Sequence, residues 1–299
     1  MTRIGMVTGI ALFHGPAFGA LLHHRRDRDA WAAAGFWEPG VDPIEGVEIT
    51  GVYDQNREAA EKLVALLPGA WVADRPDDLL GHVDGILIAD DGTQQHQKYA
   101  EPFLRAGIPT FIDKPLSRDW REAASILALA EELGTPCMSS SALRYAREVD
   151  EAWEQIEAVS PIKLALAVGP NELIYYGIHP AELMHRVLGP GVLSVHNVGR
   201  ERLNVVRLAY ADGRMGVLCV SEEIGYVFEL RLYGEKGAVT VAVNDAAAFY
   251  RNLLAAVIGM VRTGIPPIPY SSTLEVIKIL DGAKRSLATG LPVELPLMD

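Results

Sequence analysis

A chain of 299 residues, at roughly 150 residues per domain, makes two domains the starting expectation. Hydrophobic residues at 49%, charged at 22% and aromatic at 7% are ordinary globular values, which sets disorder, collagen and coiled coil aside. Against 39 acidic residues stand 27 basic ones, a formal charge of −12 whose field repels nucleic-acid phosphates and anionic lipid. The two cysteines, Cys137 and Cys219, sit in apolar surroundings and read as buried small hydrophobes. Apolar runs such as Leu253–Val261 fall well short of the roughly 20 residues that span a membrane. Met1-Thr2-Arg3 leads straight into a strand-like segment without the design of a signal peptide, so a soluble, cytoplasmic protein is expected.

In the first half, short apolar runs alternate with amphipathic stretches. Arg3–Val7 reads as a strand, Pro16–His24 as a helix, Val47–Tyr53 as a strand and Arg57–Leu67 as a helix. Strands follow at Trp71–Val72, Val83–Ala89, Thr110–Ile112 and Pro136–Ser139, with helices at Gln97–Ala106 and Asp119–Glu132. Continuous apolar strands separated by helices imply βαβ units and a parallel sheet covered on both faces. Right-handed crossovers then give a Rossmann-like, doubly wound domain over residues 1–138. Residues 23–46, rich in Gly, Pro, charge and Trp, interrupt the rhythm and read as an insertion, either a covering loop or a lid or subunit contact.

The second half, residues 139–299, is patterned differently. Strand candidates follow closely at Lys163–Val168, Leu193–Val198, Asn204–Ala211, Arg214–Val220, Phe228–Tyr233 and Ala238–Val243. Two long helices, Ala246–Arg262 and Ser272–Thr289, close the chain. This is an α+β domain with a mostly antiparallel, open sheet.

Ligands of a doubly wound sheet lie at the carboxyl ends of its strands. After the first strand comes Gly9-Ile10-Ala11-Leu12-Phe13-His14-Gly15, where a dinucleotide turn has glycine at its first, third and sixth positions. Gly9 meets the first requirement, while Ala11 and His14 hold the other two. A histidine there is expected to push the following helix off the sheet. The second strand ends at Asp54, which suits the ribose hydroxyls of an adenosine or, equally, a helix N-cap. Asp54 favours NAD over NADP, with Arg57 as the rival feature that could pair with a 2′-phosphate. The fourth strand leads through Asp90 to His96, and the next ends Asp113-Lys114-Pro115. A lysine buried beside a cationic nicotinamide would have a lowered pKa suited to proton transfer; as a surface residue it would merely end a strand. The histidines His14, His23, His24, His82, His185 and His196 show no spacing for three converging ligands, so no metal is expected.

Phe111–Ser117 (FIDKPLS) after Ala106-Gly107-Ile108-Pro109 resembles the Glu-Lys-Pro motif of the glucose–fructose oxidoreductase / inositol dehydrogenase (Gfo/Idh/MocA) family. Ile88–His96, Leu143-Arg144-Tyr145, Gly177-Ile178-His179-Pro180-Ala181-Glu182 and Gly264–Leu295 are similar to further motifs of that family, in family order. The degenerate turn and the Tyr175-Tyr176-Gly-Ile-His segment together resemble one branch of it. The resemblance implies an NAD(P)-dependent dehydrogenase of a sugar, polyol or related small hydroxylated molecule. It implies catalytic Lys114 and His179, with Tyr175 where many members carry aspartate. Gly9, Ala11, His14, Asp54, Asp90, His96, Lys114 and Pro115 would hold the cofactor, and Arg144, Tyr176 and Glu182 the substrate. Pairing of subunits through the second-domain sheet is implied as well. A non-redox lyase or glycosidase with tightly bound NAD, and a cofactor-free binding protein on the same scaffold, stay open beside it.

Overall fold

The computed structural model describes residues 1–90 and 95–295. The chain divides into two compact units. Met1–Ser117, Arg121–Ser140 and Tyr250–Ile268 make the first; Arg118–Trp120, Ser141–Phe249 and the chain from Pro269 onward make the second. A contiguous split after residue 138 therefore misses the return of 250–268. Leu253, Leu254, Val257 and Ile258 in that stretch are all buried. A Cβ placed on Gly85 would lie 2.5 Å from Val261, so the returning helix lies directly on the first sheet. Its amphipathic pattern is legible locally, but the sheet it covers is not.

The first unit runs β1 (Thr2–Val7), α1 (His14–Leu22), α2 (Arg28–Ala33), β2 (Val47–Tyr53), α3 (Arg57–Val64), β3 (Trp71–Val72), β4 (Gly85–Ile88), α4 (His96–Arg105), β5 (Thr110–Ile112), α5 (Trp120–Leu133) and β6 (Cys137–Met138). The strands order β3-β2-β1-β4-β5-β6 and every pair is parallel, the doubly wound sheet expected. The inner strands are apolar on both faces because helices cover both. Ile4, Met6, Ile86, Leu87, Ile88, Phe111 and Ile112 are fully buried. Within 23–46 the structure adds what composition alone did not show: α2, whose N-cap Asp27 accepts from the Asp29 and Ala30 amides. Trp31 of α2 is fully buried, and Gly19 makes room for it, since a Cβ there would lie 2.9 Å from the indole.

The second unit contains α6 (Arg147–Glu151), α7 (Trp153–Val159), β7 (Ile162–Pro170), α8 (Ile178–Leu188), β8 (Val192–Asn197), β9 (Leu203–Tyr210), β10 (Met215–Ser221), β11 (Glu229–Gly234) and β12 (Gly237–Ala242). After α9 (Ala246–Thr263) come α10 (Tyr270–Thr289) and β13 (Val293–Glu294). Sheet order is β12-β11-β7-β10-β9-β8-β13, antiparallel throughout except for the parallel β7–β10 pair. Helices α8 and α10 lie on one face. Glycines admit α8 closely: a Cβ on Gly169 would lie 2.9 Å from Pro180, and one on Gly216 would lie 2.8 Å from the Met184 sulfur. Cys137 is buried as expected, and that burial pushes its thiol up to about 12. Cys219 is only half-buried, on the face of the second sheet opposite these helices.

Candidate functional site

Strand order reverses between β1 and β4, and their carboxyl ends build a crevice. Gly9 adopts φ +70°, and a Cβ on it would lie 1.8 Å from the Ala89 carbonyl oxygen. Only glycine fits there. A Cβ on Gly15 would lie 2.7 Å from the Gly9 oxygen and 2.8 Å from the Ile10 Cα. Close packing of α1 against the turn is thus secured by Gly15, one residue beyond the sixth position. The expected displacement of the helix by His14 does not occur.

A cavity of about 230 Å³ opens at this turn, lined by Thr8, Gly9, Ala11, Leu12, Asp54, Gln55, Asp90 and Tyr99. Asp54 faces it half-buried and braces the turn, its Oδ2 accepting from the Ile10 amide at 2.9 Å. It does not cap α3; Asn56 does, through its Oδ1 and the Ala59 amide. Arg57 is drawn away on the surface by Glu61 (2.8 Å) and Asp74 (2.5 Å). Asp90 is buried, and His96 ties this region together: Nε2 lies 2.5 Å from the Asp90 carbonyl oxygen and Nδ1 2.9 Å from that of Leu116. Residues 91–94 of the same loop lie outside the described residues.

Lys114 ends β5 and is only 4% exposed, joined to Pro115 by a cis peptide bond. Its amide donates to Asp113 Oδ1 at 2.8 Å. Asp113 Oδ2 bonds His14 Nδ1, and His14 Nε2 lies 3.0 Å from the Tyr250 hydroxyl. Burial pushes the Asp113 carboxyl up, but the charges of His14 and Lys114 beside it outweigh that and hold it below the ordinary carboxylate range. Asp113 and Tyr250 were not singled out from sequence. The aspartate stood inside the Lys-Pro motif; nothing local marks Tyr250, 236 residues from its histidine.

A larger cleft, about 650 Å³, lies on the other side of the turn between Ile10–Phe13, Gly35–Trp37 and the first turns of α3. The insertion forms its outer wall, with Trp37 against Phe13 (5.6 Å between ring centroids) and Tyr250 (5.9 Å).

In the second unit His179 opens α8, 7% exposed, with Nδ1 2.7 Å from the Ser141 hydroxyl. Four edge-to-face contacts join His179, Tyr176, Tyr226 and Phe228 into a closed aromatic circuit, and Tyr175 meets Tyr176 edge-on from outside it. Beside the circuit is a cavity of about 350 Å³ lined by Pro170, Asn171, Tyr176, Arg202, Glu222, Ile224 and Tyr226. Asn171 and Arg202 hold left-handed backbone there, at φ +67° and +66°. Arg144 and Glu182 form a buried ion pair, and Arg144 also donates to His185 Nδ1 at 2.9 Å. Burial, followed by the Arg144 charge, lowers the His185 pKa to about 3. Sequence reasoning did not single out Ser141, Tyr226 or Phe228, and weighed His185, on the same helix as His179, only as a metal ligand.

Residues 4–141 match the family model of the Gfo/Idh/MocA oxidoreductases, described as an oxidoreductase family with an NAD-binding Rossmann fold. An inositol 2-dehydrogenase of Cereibacter sphaeroides is 25% identical over 170 residues, which cover 56% of this chain and 48% of the relative. A UDP-N-acetylglucosamine 3-dehydrogenase of Acidithiobacillus ferrooxidans is 26% identical over 161 residues, 51% of this chain and 50% of that protein. These matches span about half the length of the curated relatives. Over whole chains, the fold is shared with myo-inositol dehydrogenase from Lactobacillus casei in complex with NAD(H) and myo-inositol. The TM-score is 0.81 at 18% identity, covering 100% of this chain and 98% of the other. GenD2 from gentamicin A biosynthesis, in complex with NAD, also gives 0.81, at 21% identity over 99% and 96% of the two chains.

Proposed function

Through its first unit this chain belongs to the Gfo/Idh/MocA oxidoreductase family, and on that premise we propose that it is a dehydrogenase that uses NAD to oxidise a CH–OH group of a sugar, polyol or related small molecule. The observation that carries the reading is a lysine, 4% exposed, ending β5 in the same unit whose β1–β4 switch point holds an open glycine turn braced by Asp54. NAD fits the residues present. The turn has no side chain at Gly9 or Gly15, its helix N-terminus favours a pyrophosphate, and Asp54 stands at the cavity edge where ribose hydroxyls would be accepted. When bound, NAD supplies the hydride acceptor. Asp54 disfavours a 2′-phosphate, and Arg57, its rival, is already held by two carboxylates. This supports NAD over NADP.

Removing a hydride from carbon requires the hydroxyl proton to go to a base. His179 is the candidate acceptor. The Ser141 hydroxyl at Nδ1 holds the ring in place, which supports a role in proton transfer. Lys114, buried in the first unit, is that unit's candidate for proton transfer. The aromatic circuit and the adjoining cavity with Asn171, Arg202 and Glu222 offer apolar faces beside polar groups, as a polyhydroxylated substrate requires. Tyr176 lines that cavity, whereas Tyr175 meets the outer side of Tyr176 and brings no carboxylate.

The uncovered face of the second sheet supports self-association. On it the partly buried Leu164, Leu166 and Val168 of β7 register with Met215, Val217 and Cys219 of β10, and Val205 and Ala209 of β9 with Cys219 and Met215. The central test is a fluorescence titration with NADH and NADPH, followed by dehydrogenase assays on cyclic polyols and sugars. Failure of the wild-type protein to bind either dinucleotide would overturn the proposal.

A further inference from the structure

We infer that His14 is a positioning residue for Lys114, acting through Asp113 and itself held by Tyr250. This rests on the proposed role of Lys114. The three side chains form one chain of hydrogen bonds from α9 through the first residue of α1 to the end of β5. Asp113 is 1% exposed and His14 6%, so the pair exchanges little with water. One Asp113 oxygen receives the Lys114 amide and the other is taken by His14, which leaves the carboxylate no freedom to turn. The fingerprint histidine therefore faces away from a phosphate-binding role. It holds and orients, by hydrogen bond, the acidic group adjacent in sequence to the lysine.

Facing Asp113 are His14 on α1 and Lys114 on its own loop, with Tyr250 on α9 behind the imidazole. An anionic neighbour stabilises the ammonium form of a lysine. An uncompensated Asp113 carboxylate is expected to favour the ammonium form of Lys114, and the His14 hydrogen bond to lessen that effect. Substitutions at the two positions should move the midpoint in opposite directions. A role confined to packing would not do this.

The test is an ¹⁵N NMR titration of the Lys114 side-chain nitrogen in the whole, ligand-free protein, which needs no substrate. Asp113→Asn should lower the midpoint by at least about half a pH unit, and His14→Gln should raise it by a similar amount. His14→Asn places a donor where Nδ1 was, so it should stay within about 0.2 units of wild type. In the D113N background, His14→Gln should change nothing further, because the route through Asp113 is gone. Tyr250→Phe keeps the ring contacts and serves as the second variant if His14→Gln does not fold. It should shift the midpoint less than His14→Gln does in a folded protein, and not at all in the D113N background. Equal shifts from His14→Gln with and without D113N, or the same persistence for Tyr250→Phe, would overturn the inference. So would a His14→Gln midpoint equal to that of wild type. Should NADH fail to bind the wild-type protein, the functional reading falls while this titration still stands or fails by itself.

Discussion

Acid should destabilise the second unit through His185, and replacing that residue should remove a calculable part of the effect. The ring is 4% exposed, and its pKa in the fold is about 3 against 6.5 when unfolded. The fold therefore keeps His185 neutral while the unfolded chain takes up a proton as pH drops below 6.5. Stability is lost across the window from 6.5 down to about 3. Well inside that window each pH unit costs about 1.4 kcal/mol for one group, and half that rate at pH 6.5 itself, so moving from pH 6.5 to 4.5 removes about 2.3 kcal/mol. His185→Asn keeps an acceptor for Arg144 but cannot titrate. It should cost about 1–3 kcal/mol at pH 7 through lost ring packing. Its stability curve should then fall less steeply, so that wild type and variant converge toward pH 4.5. His23, fully buried with a pKa near 4, adds a similar loss to both proteins and cancels in the comparison. Urea unfolding at pH 7.0, 5.5 and 4.5, with hydrogen exchange of β7 amides to localise the effect, measures the difference. Parallel curves would refute the reasoning.

Three further outcomes are expected. Gly15→Ala forces a methyl within 2.7 Å of the Gly9 oxygen, which should cost about 1–3 kcal/mol in unfolding experiments and weaken NADH binding at least tenfold; NADH affinity equal to wild type would show that the turn tolerates a displaced helix. NADH should bind more tightly than NADPH, and Asp54→Asn should narrow the gap by removing the charge that repels a 2′-phosphate, as read by paired fluorescence titrations. Lys114→Ala should lower kcat by about 10²–10⁴ in a protein that still unfolds cooperatively. Undiminished turnover would rule the lysine out of proton transfer.

Much of the first unit was legible because its signals are local. A strand buried on both faces is a continuous apolar run, and β4, β5 and the second half of β1 read that way. Lys114 was legible because a lysine directly before proline at the end of such a strand is chemically conspicuous. Gly15 went unnoticed although it lies beside the expected position, since sequence spacing does not reveal which glycine the sheet approaches. The cap of α3 fell on Asn56, two residues past Asp54, because the chain turns there to let the aspartate brace the Ile10 amide.

What the sequence alone determined, then, was the alternation of elements, the parallel sheet, the change of pattern in the second half and the lysine motif. Each is written in residues that are neighbours along the chain or spaced by the period of a helix or strand. Only tertiary structure decided that 250–268 belongs to the first unit and that His14 answers to Asp113 and Tyr250, 99 and 236 residues away. The same holds for Ser141 against His179, 38 residues apart, and for the side of the second sheet left uncovered. Hydrogen bonds and burial across such separations depend on how elements are placed in space. Periodicity along the chain carries no record of that placement.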